Sequence, residues 1–384
     1  MPAETAADPH LRWPPGFASG ADDRRAALVL SALGGITARR LLERAAGHHA
    51  AAECLALVRR GELGSGTDRR LADEFDPTEL ARAVAACGAR FVTCDDPEYP
   101  RQLGAIHDPP LGLFVRGSGL PELDRAVAIV GARRCSELGR ELAHGLARGL
   151  GSAGVDVVSG AARGIDAAAH EGALAAGAPT VAVLGCGIDV EYPRASRDLL
   201  HRIARRGTVV SEYPPGVPPR PFRFPARNRI VAGLCRATVV VEGADGSGSL
   251  ITGEHAMEFG RDVFAVPGAV NNPLAEVPLA LIRDGAGAIR GVDDLLGDLG
   301  LDGAISPPPD LSLAERAALD ALAGPTLPER VASDLGLGLA DALTLLLSLE
   351  LRGLVRSVGG RYESTTAVRM SGGPSTMGLS REGG

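Results

Sequence analysis

The chain has 384 residues and a formal net charge of −7, and it contains no lysine, so arginine supplies every permanent side-chain cation. The absence of lysine excludes Walker A nucleotide-binding loops and pyridoxal phosphate enzymes, both of which need that side chain. The six cysteines show no CxxC pair and no Cys/His ligand spacing, so we expect reduced thiols, no metal and a cytoplasmic protein. No run reaches the ~18 apolar residues of a membrane helix, so no membrane partner is expected.

The N-terminal part of the sequence predicts a disordered segment followed by a small helical domain. Residues 1–22 are polar and rich in proline and glycine, and we expect them to be disordered. In residues 23–85 apolar residues recur at helical spacing around Gly34 and Gly35, which resembles a helix-hairpin-helix or sterile-alpha-motif-like unit. Such a unit can contact a DNA backbone, although a packing module is the commoner outcome. Residues 91–116 read as a connector rich in turn-forming residues.

Residues 86–300 form the main domain, in which short apolar runs alternate with helical segments. The runs predict strands at 126–130, 155–158, 180–184, 208–211, 237–242 and 262–266. Leu138, Leu142, Leu146 and Leu150 recur every four residues and predict one face of a helix. Buried strands separated by helices indicate a doubly wound α/β domain with a parallel sheet. Ligands of such sheets bind beyond the carboxyl ends of the strands.

The C-terminal part predicts a linker, a third domain and a tail. Residues 301–310 read as a stiff, proline-rich linker, residues 311–364 as three helices and a hairpin in a winged helix-turn-helix, and residues 365–384 as a disordered tail. The third helix has no basic residue before Arg352. The sequence therefore leaves three roles open for the winged helix: it binds duplex DNA, it binds a protein partner, or it has lost its ligand.

The segment 220–229 concentrates positive charge and aromatic rings in an acidic protein. It contains Arg220, Arg223, Arg227 and Arg229 with two phenylalanines, and no Asp or Glu occurs from residue 214 to residue 235. Arginine binds phosphate oxygens in pairs and stacks on flat rings. A phenylalanine such as Phe224 offers a face to an unstacked base. The segment therefore predicts a site for single-stranded nucleic acid.

Three glycine- or serine-rich loops follow predicted strands and suit phosphate binding. They contain Gly131, Arg133 and Arg134; Ser159, Gly160, Arg163, Gly164 and Asp166; and Ser247, Gly248 and Ser249. A helix that begins near Ser136 is expected to aim free N–H groups at an anion. The third loop resembles a nucleotide loop without its lysine, which suits a phosphodiester better than ATP hydrolysis.

Asp166 and His170 lie four residues apart on one predicted helix, and two interpretations are open. They could form a catalytic pair, or Asp166 could cap the helix while His170 packs in the core, which we favour because no serine or cysteine nucleophile completes a triad. The glycines at 185 and 187 lack a G-x-G-x-x-G fingerprint. No NAD, FAD or other cofactor is therefore expected.

These loops, taken in order, closely resemble the DNA processing protein A (DprA/Smf) family. The matching segments are DPEYP (96–100), IVGAR (129–133), SGAARGID (159–166) with Ala169-His170, Tyr192-Pro193, SEYP (211–214), FPARNRI (224–230), GSLIT (248–252) and AVPG (265–268). Together they cover most of residues 95–290.

The resemblance implies an extended Rossmann-like domain that forms a homodimer, binds single-stranded DNA and helps to load the RecA recombinase during DNA uptake, without known catalysis. It places Arg133 on a phosphate and Phe224 against a base, with Arg227, Asn228 and Arg229 in the surrounding signature. Three departures stand out: Pro221 replaces a frequent basic residue, Ala132 replaces a hydroxyl residue, and the segment with Ala275, Val277 and Leu279 lacks the family's glycine and asparagine.

Two rival functions come from other classes. One is an enzyme of nucleotide or sugar-phosphate metabolism on a related Rossmann-like domain, but the chain lacks the Pro-Gly-Gly-x-Gly-Thr-x-x-Glu loop of such phosphoribohydrolases. The other is an adaptor whose winged helix recruits a partner while the pocket has decayed. The basic segment favours single-stranded DNA binding over both.

Overall fold

The computed structural model describes residues 11–47, 49–120, 125–301, 312–322, 324–351 and 354–364. The chain divides into two compact units, residues 1–305 and residues 306–384. The first unit contains the N-terminal helices and the large sheet, and the second contains three helices and a hairpin.

Five helices precede the sheet. They are α1 (Ala21–Ala32), α2 (Ala38–Ala45), α3 (Ala51–Arg60), α4 (Gly66–Glu74) and α5 (Pro77–Ala86). Thr37, Ser65 and Asp76 each accept a hydrogen bond from a backbone N–H of the helix that follows, which satisfies a donor that the first turn leaves free. The backbone N–H of Gly35, between α1 and α2, donates to the Asp68 carboxylate at 2.8 Å. The glycine turn is therefore tied to α4.

The N-terminal segment corrects the prediction that residues 1–22 are disordered. Phe17 is only 2% exposed and packs against Trp13, with 5.0 Å between ring centroids and an interplanar angle of 35°. The backbone N–H groups of Gly16 and Ala18 both donate to the carboxylate of Asp95. Residues 11–20 are ordered because two aromatic rings and one distant carboxylate hold them against the domain; residues 1–10 lie outside the described residues.

The main domain is built on a nine-stranded sheet. Its strands are β1 (Ala89–Thr93), β2 (Gly112–Gly117), β3 (Ala126–Val130), β4 (Asp156–Ser159), β5 (Thr180–Leu184), β6 (Thr208–Ser211), β7 (Ala237–Val240), β8 (Asp262–Ala265) and β9 (Gly287–Ala288). Their order across the sheet is β1-β2-β6-β5-β4-β3-β7-β8-β9. Strands β3 to β9 run parallel, whereas β1 and β2 add an antiparallel pair at one edge. This is an extended Rossmann-like sheet, as the sequence and the resemblance predicted.

Helices cover both faces of this sheet. They are α6 (Arg101–Gly104), α7 (Glu137–Ser152), α8 (Ile165–Ala175), α9 (Arg197–Arg206), α10 (Arg223–Gly233), α11 (Gly248–Glu258), α12 (Glu276–Arg283) and α13 (Val292–Asp298). The residues of the central strand β3 pack against helices on both faces of the sheet, because alternate residues of a strand point to opposite faces. Val127 and Ile129 join the core under α7, α8 and α13. Ala128 and Val130 join the core under α10 and α12.

One expectation for this domain was wrong, and another holds in part. Residues 91–116 are not merely a connector, since β1 and β2 pair along five positions and extend the sheet. Of the predicted leucine face of α7, Leu146 and Leu150 are buried and Leu142 packs against the same core, whereas Leu138 is 65% exposed. Gly139, Ala143 and Ala147 complete the buried face, so small residues that the leucine spacing does not mark also contribute to it.

The second unit contains the three helices and the hairpin that the sequence predicted. They are α14 (Leu313–Ala321), α15 (Pro328–Leu335), α16 (Leu339–Leu351), β10 (Val355–Val358) and β11 (Arg361–Ser364). The strands pair antiparallel, and the assignment as a winged helix stays a prediction. The linker 302–310 and the tail 365–384 lie outside the described residues. Within the described parts of the chain, no single helix is long and apolar enough to cross a membrane; α15 and α16 meet the length and composition only as a pair bent by 108°.

Candidate nucleic-acid interface

The loops that follow β3, β4, β5, β6 and β7 meet at one edge of the sheet, because these strands are parallel. The chain order reverses between β3 and β7, and a crevice at such a point is the usual ligand site of a doubly wound sheet. This confirms the expected placement of the loops at the carboxyl ends of the strands.

The crevice at the strand-order reversal is filled by the protein's own carboxylate. Glu242, directly after β7, accepts hydrogen bonds from the Ser136 backbone N–H at 2.8 Å and from the Ser136 hydroxyl. A Cβ atom at Gly139 would lie 2.3 Å from the Glu242 carboxyl carbon, so the carboxylate rests on the first turn of α7. The Ser136 N–H therefore serves Glu242 and not an external anion; for the N–H groups of Glu137 and Leu138 the expectation stays a prediction.

A cleft lies beside this crevice, between the loops after β3, β4 and β5 and the start of α10. We call it the base pocket; its lining comprises Arg133, Gly160, Ala161, Ala162, Arg163, Leu184, Gly185, Tyr192, Pro193, Phe224 and Arg227. Phe224 is half-buried in the first turn of α10. Its ring centroid lies 5.6 Å from that of Tyr192 and 5.1 Å from the guanidinium carbon of Arg133.

Two glycines let the side chains of α10 enter the base pocket. A Cβ atom at Gly185 would lie 2.8 Å from the Phe224 ring, and one at Gly160 would lie 1.8 Å from an Arg227 guanidinium nitrogen. Any larger residue at these positions would displace the ring or the guanidinium. The glycines thus act through close approach, which is one of the uses of this residue at ligand sites.

Arg227 is a buried cation without a paired carboxylate in the described structure. The residue is 4% exposed, its Nη2 donates to the Gly160 carbonyl at 2.7 Å, and its Nε has no hydrogen-bond partner. Burial lowers the pKa of Arg227, and the nearby Asp166 carboxylate opposes this shift. The guanidinium stays charged because arginine is not deprotonated in proteins. Such a group is costly to bury, which favours an anionic ligand above it.

A second depression adjoins the base pocket, and we call it the arginine groove. Its lining comprises Arg133, Arg134, Cys135, Arg140, Arg163, Gly164, Ala167, Glu171, Ala195, Ser196 and Leu199, around about 350 Å³. Gly164 has a φ of +81°, and a Cβ atom there would lie 2.2 Å from the Ala132 carbonyl oxygen. That backbone conformation holds the loop after β4 against the loop after β3. In the β3 loop, a Cβ atom at Gly131 would lie 2.6 Å from the Ile165 side chain.

Three predicted site residues have structural roles instead of facing a ligand. Ser159 is fully buried and donates its hydroxyl to the Ile129 carbonyl at 2.6 Å. Asp166 is 6% exposed and accepts from the Ala162 N–H, and burial raises the pKa of its carboxyl. Their side chains hold the β4 loop, which corrects their assignment as nucleic-acid contacts.

Arg229 is the third such residue. It is 6% exposed and forms ion pairs with Glu212 at 2.6 Å and with Asp108 at 3.1 Å. Burial alone would lower the pKa of Arg229, but these two carboxylates outweigh it and raise that pKa. Because two carboxylates already pair with the Arg229 guanidinium, it attracts a phosphate only weakly. This also corrects the prediction that Arg229 contacts nucleic acid.

The other predicted residues lie around the base pocket without lining it. Asn228 donates its side-chain amide to the Gly248 carbonyl at 3.0 Å and so ties α10 to α11. Ser247 caps α11 by accepting from the N–H of Ser249, which is itself buried. Arg220 is exposed, whereas the guanidinium of Arg223 stacks on Tyr213 and on Phe222 at 4.9 and 5.5 Å.

His170 is a packed core residue, in agreement with the interpretation favoured from sequence. It is fully buried, and its Nδ1 lies 2.8 Å from the hydroxyl of Thr180, which in turn donates to the Val157 carbonyl. Burial, with a contribution from Arg227, lowers the pKa of His170 to about 3. A neutral, buried imidazole cannot exchange protons with a substrate in the base pocket.

Sequence reasoning missed part of the pocket's lining. Tyr192 was noted only as part of a family motif, and Gly185 was tested only against a dinucleotide fingerprint. Arg140 was overlooked, although it lies on the first turn of the helix that follows Arg133 and Arg134. Within the described residues no group of three or more His, Cys, Asp or Glu side chains could hold a metal ion.

Comparison with known proteins gives consistent matches. The family model of DNA recombination-mediator protein A matches residues 90–300. DNA processing protein DprA of Streptococcus pneumoniae is 46% identical over 201 residues, which cover 52% of this chain and 71% of that protein. A putative DNA processing protein DprA of Mycobacterium tuberculosis is 39% identical over 335 residues, 79% of this chain and 85% of that one.

Two solved structures are similar as well. The crystal structure of DNA processing protein A from Streptococcus pneumoniae has a TM-score of 0.64 and 35% identity, covering 73% of this chain and 98% of that one. DNA processing protein A from Helicobacter pylori, described for its single-stranded DNA binding mode, has a TM-score of 0.51 and 28% identity, covering 56% and 98%.

Proposed function

Because this chain belongs to the DNA recombination-mediator protein A family, we propose that it binds single-stranded DNA at the carboxyl edge of its sheet. The base pocket receives an unstacked base against Phe224, and the arginines around it bind the neighbouring phosphates. The similar protein from Helicobacter pylori, described as binding single-stranded DNA, supports this proposal.

The observation that carries the proposal is that Phe224 lines the same pocket as Arg227, a buried arginine with no ion pair among the described residues. The ring lies half-buried between Tyr192 and Arg133, and Arg227 lies at the floor of the same pocket. Arg133 has no ion pair among the described residues, so its guanidinium is free to leave the ring for a phosphate. An aromatic ring and cations together are the means by which proteins bind single strands without reading their sequence.

Single strands are favoured over duplex for a geometric reason. A duplex keeps its bases stacked on one another, so none can reach Phe224 unless it is flipped out at a cost of a few kcal/mol. A single strand presents its bases at much lower cost. The phosphate contacts are common to both, so the aromatic ring provides the discrimination.

The role of mediator extends the proposal to partners. We propose that the protein acts as a homodimer, protects the bound strand and helps to load RecA on it, without catalysing a reaction. Family membership supports these roles, as does the burial of Asp166 and His170, which removes the most plausible acid–base pair from the surface. RecA filament assembly on single-stranded DNA, followed with and without the protein, tests the loading role.

The binding proposal is tested by titrating a fluorescent oligonucleotide and its duplex with wild-type protein at several salt concentrations. We expect single-strand binding to be the tighter by an order of magnitude or more. Three or four phosphate contacts predict a log–log salt slope of about −2 to −3, since each contributes about −0.7 for single strands. Equal affinity for the duplex, or a slope near zero, would contradict the proposal.

A further inference from the structure

The arginine groove is continuous with the base pocket. Arg133 and Arg163 line both cavities, and one loop contributes Gly160 to the pocket and Gly164 to the groove. A chain of nucleotides that leaves the pocket past these two arginines therefore enters the groove directly.

Most of the arginine side chains that line the groove have no ion pair among the described residues. Arg133, Arg134 and Arg163 are exposed and have no ion pair among the described residues. Arg140 pairs only with Glu137 at 3.3 Å, and both side chains are more than half exposed, so water and salt weaken that pair. The one carboxylate that lines the groove, Glu171, forms an ion pair with Arg202.

The shape and surroundings of the groove indicate an anion held by side chains. Its volume of about 350 Å³ lies within the roughly 300–1,000 Å³ of small-ligand sites. At the start of α7, Glu242 accepts from the Ser136 N–H and the Ser136 hydroxyl accepts from the Gly139 N–H, so these two N–H groups are not available to the anion. Arginine forks on the β3 loop, on α7 and on the β4 loop line the groove and suit phosphodiester oxygens.

We propose that the arginine groove is a second subsite, which binds the backbone of the same strand beyond the nucleotide whose base lies in the base pocket. This inference rests on the proposed function and assigns Arg140, together with Arg134, to the path of the strand. The binding site for the strand thus extends from the base pocket through the groove. The affinity for single-stranded oligonucleotides should therefore rise with their length until the groove is filled.

The test compares a thymidine dinucleotide, which is too short to extend beyond the base pocket into the groove, with a thymidine oligonucleotide of about 16 nucleotides, the upper end of known single-strand site sizes. The double variant Arg134→Ala/Arg140→Ala is expected to bind the short oligonucleotide as wild type does. It is expected to bind the long one about three- to tenfold more weakly, as for two exposed ionic contacts. Its salt slope for the long oligonucleotide should shrink by about 1.4, or about 0.7 per lost contact.

The matched control is Arg205→Ala/Arg206→Ala, which removes the same charge from the last turn of α9. Both residues are exposed, and that turn leads into the amino-terminal end of β6, at the opposite edge of the sheet. The control should bind both oligonucleotides as wild type does, and unchanged thermal melting verifies that both variants fold.

Three results overturn the inference while the proposed function stands. The first is wild-type affinity of the groove variant for the long oligonucleotide. The second is an equal loss with both lengths, which would place these arginines in the pocket or make their effect one of net charge. The third is equal wild-type affinity for both lengths, which is expected if the groove binds a free phosphate compound instead of the strand. Failure of the wild type to bind either oligonucleotide overturns the proposed function itself.

Discussion

Two buried arginines on α10 differ in what surrounds them. Arg229 lies against Glu212 and Asp108, which bind its guanidinium through ion pairs of 2.6 and 3.1 Å. Arg227, two residues earlier, is equally buried, but among the residues that the structure describes it has one hydrogen bond, to the Gly160 carbonyl, and its Nε has no partner. The charge of Arg229 is thus neutralised by carboxylates of the protein, whereas the charge of Arg227 is not neutralised by an ion pair among the described residues.

The difference separates residues that build the fold from residues that serve a ligand. A buried charge is stable when carboxylates and hydrogen bonds compensate for lost hydration, as they do around Arg229. An uncompensated charge at the floor of a cleft lowers stability and gains from an incoming anion. The same contrast applies after β3, where Glu242 accepts two hydrogen bonds from Ser136 at the start of α7, while Arg133 and Arg134 have no ion pair among the described residues.

The largest effect on stability is expected at Arg229. Arg229→Met leaves two carboxylates without their cation, and breaking a buried ion pair costs 3–5 kcal/mol in general. Because Glu212 and Asp108 are 20% and 27% exposed, we expect a loss of about 3 kcal/mol, at the low end of that range. Urea unfolding monitored by circular dichroism measures it. A loss below about 1 kcal/mol would place Arg229 among weakly coupled surface pairs.

Arg227 should show the opposite pattern. Arg227→Met removes one hydrogen bond and a buried charge that has no ion pair among the described residues and is only partly compensated by Asp166, so the free energy of unfolding should change by less than about 1.5 kcal/mol. Binding of a single-stranded oligonucleotide should weaken by about 1.5–3 kcal/mol, the value of a hydrogen bond to a charged group. The same two measurements on Arg229→Met act as the comparison. A stability loss as large as that of Arg229→Met would assign Arg227 to the fold.

His170, close to Arg227, predicts a pH dependence of stability. Its pKa is lowered to about 3 in the folded state and is about 6.5 in an unfolded chain, so the unfolded state binds the extra proton below pH 6.5. The stability that the neutral imidazole contributes is present above pH 6.5 and falls as pH decreases, by about 2 kcal/mol at pH 5.

The pH effect of His170 is isolated by comparison with His170→Gln. Asp156, whose pKa burial raises to about 6, and Asp166, whose pKa burial also raises, give the opposite slope in both proteins. The difference in unfolding free energy between the two proteins should therefore shrink from pH 7 to pH 5. A constant difference would show that His170 is accessible to protons in the folded state.

The sequence alone was sufficient for the parallel sheet and the placement of its loops. Short continuous apolar runs such as 126–130 and 181–184 are typical of strands that are buried on both faces. Once the strands are parallel, their loops must share one edge, which brings Arg133, Gly160 and Arg163 together without further information. The antiparallel pair β1 and β2 was missed because each strand lies beside turn-forming residues.

The division of charged residues into paired and unpaired ones could not be predicted. Arg227 and Arg229 belong to one motif, and the partners of Arg229 lie 17 and 121 residues away in the chain. Glu242 is likewise 106 residues from Ser136. Such contacts depend on the order of strands across the sheet, which the pattern of elements does not specify.

The central claim is that Phe224 recognises an unstacked base. The direct measurement compares the affinity of wild type, Phe224→Ala and the exposed neighbour control Phe222→Ala for a thymidine oligonucleotide and for an abasic strand of equal length. Stacking on an aromatic ring is worth about 1–3 kcal/mol, so wild type and Phe222→Ala should prefer the thymidine strand by about one to two orders of magnitude. Phe224→Ala should lose that preference while its salt slope and its melting temperature stay nearly constant. Equal wild-type affinity for the two strands, or a large drop in the melting temperature of Phe224→Ala, would contradict the claim and assign the ring to the core.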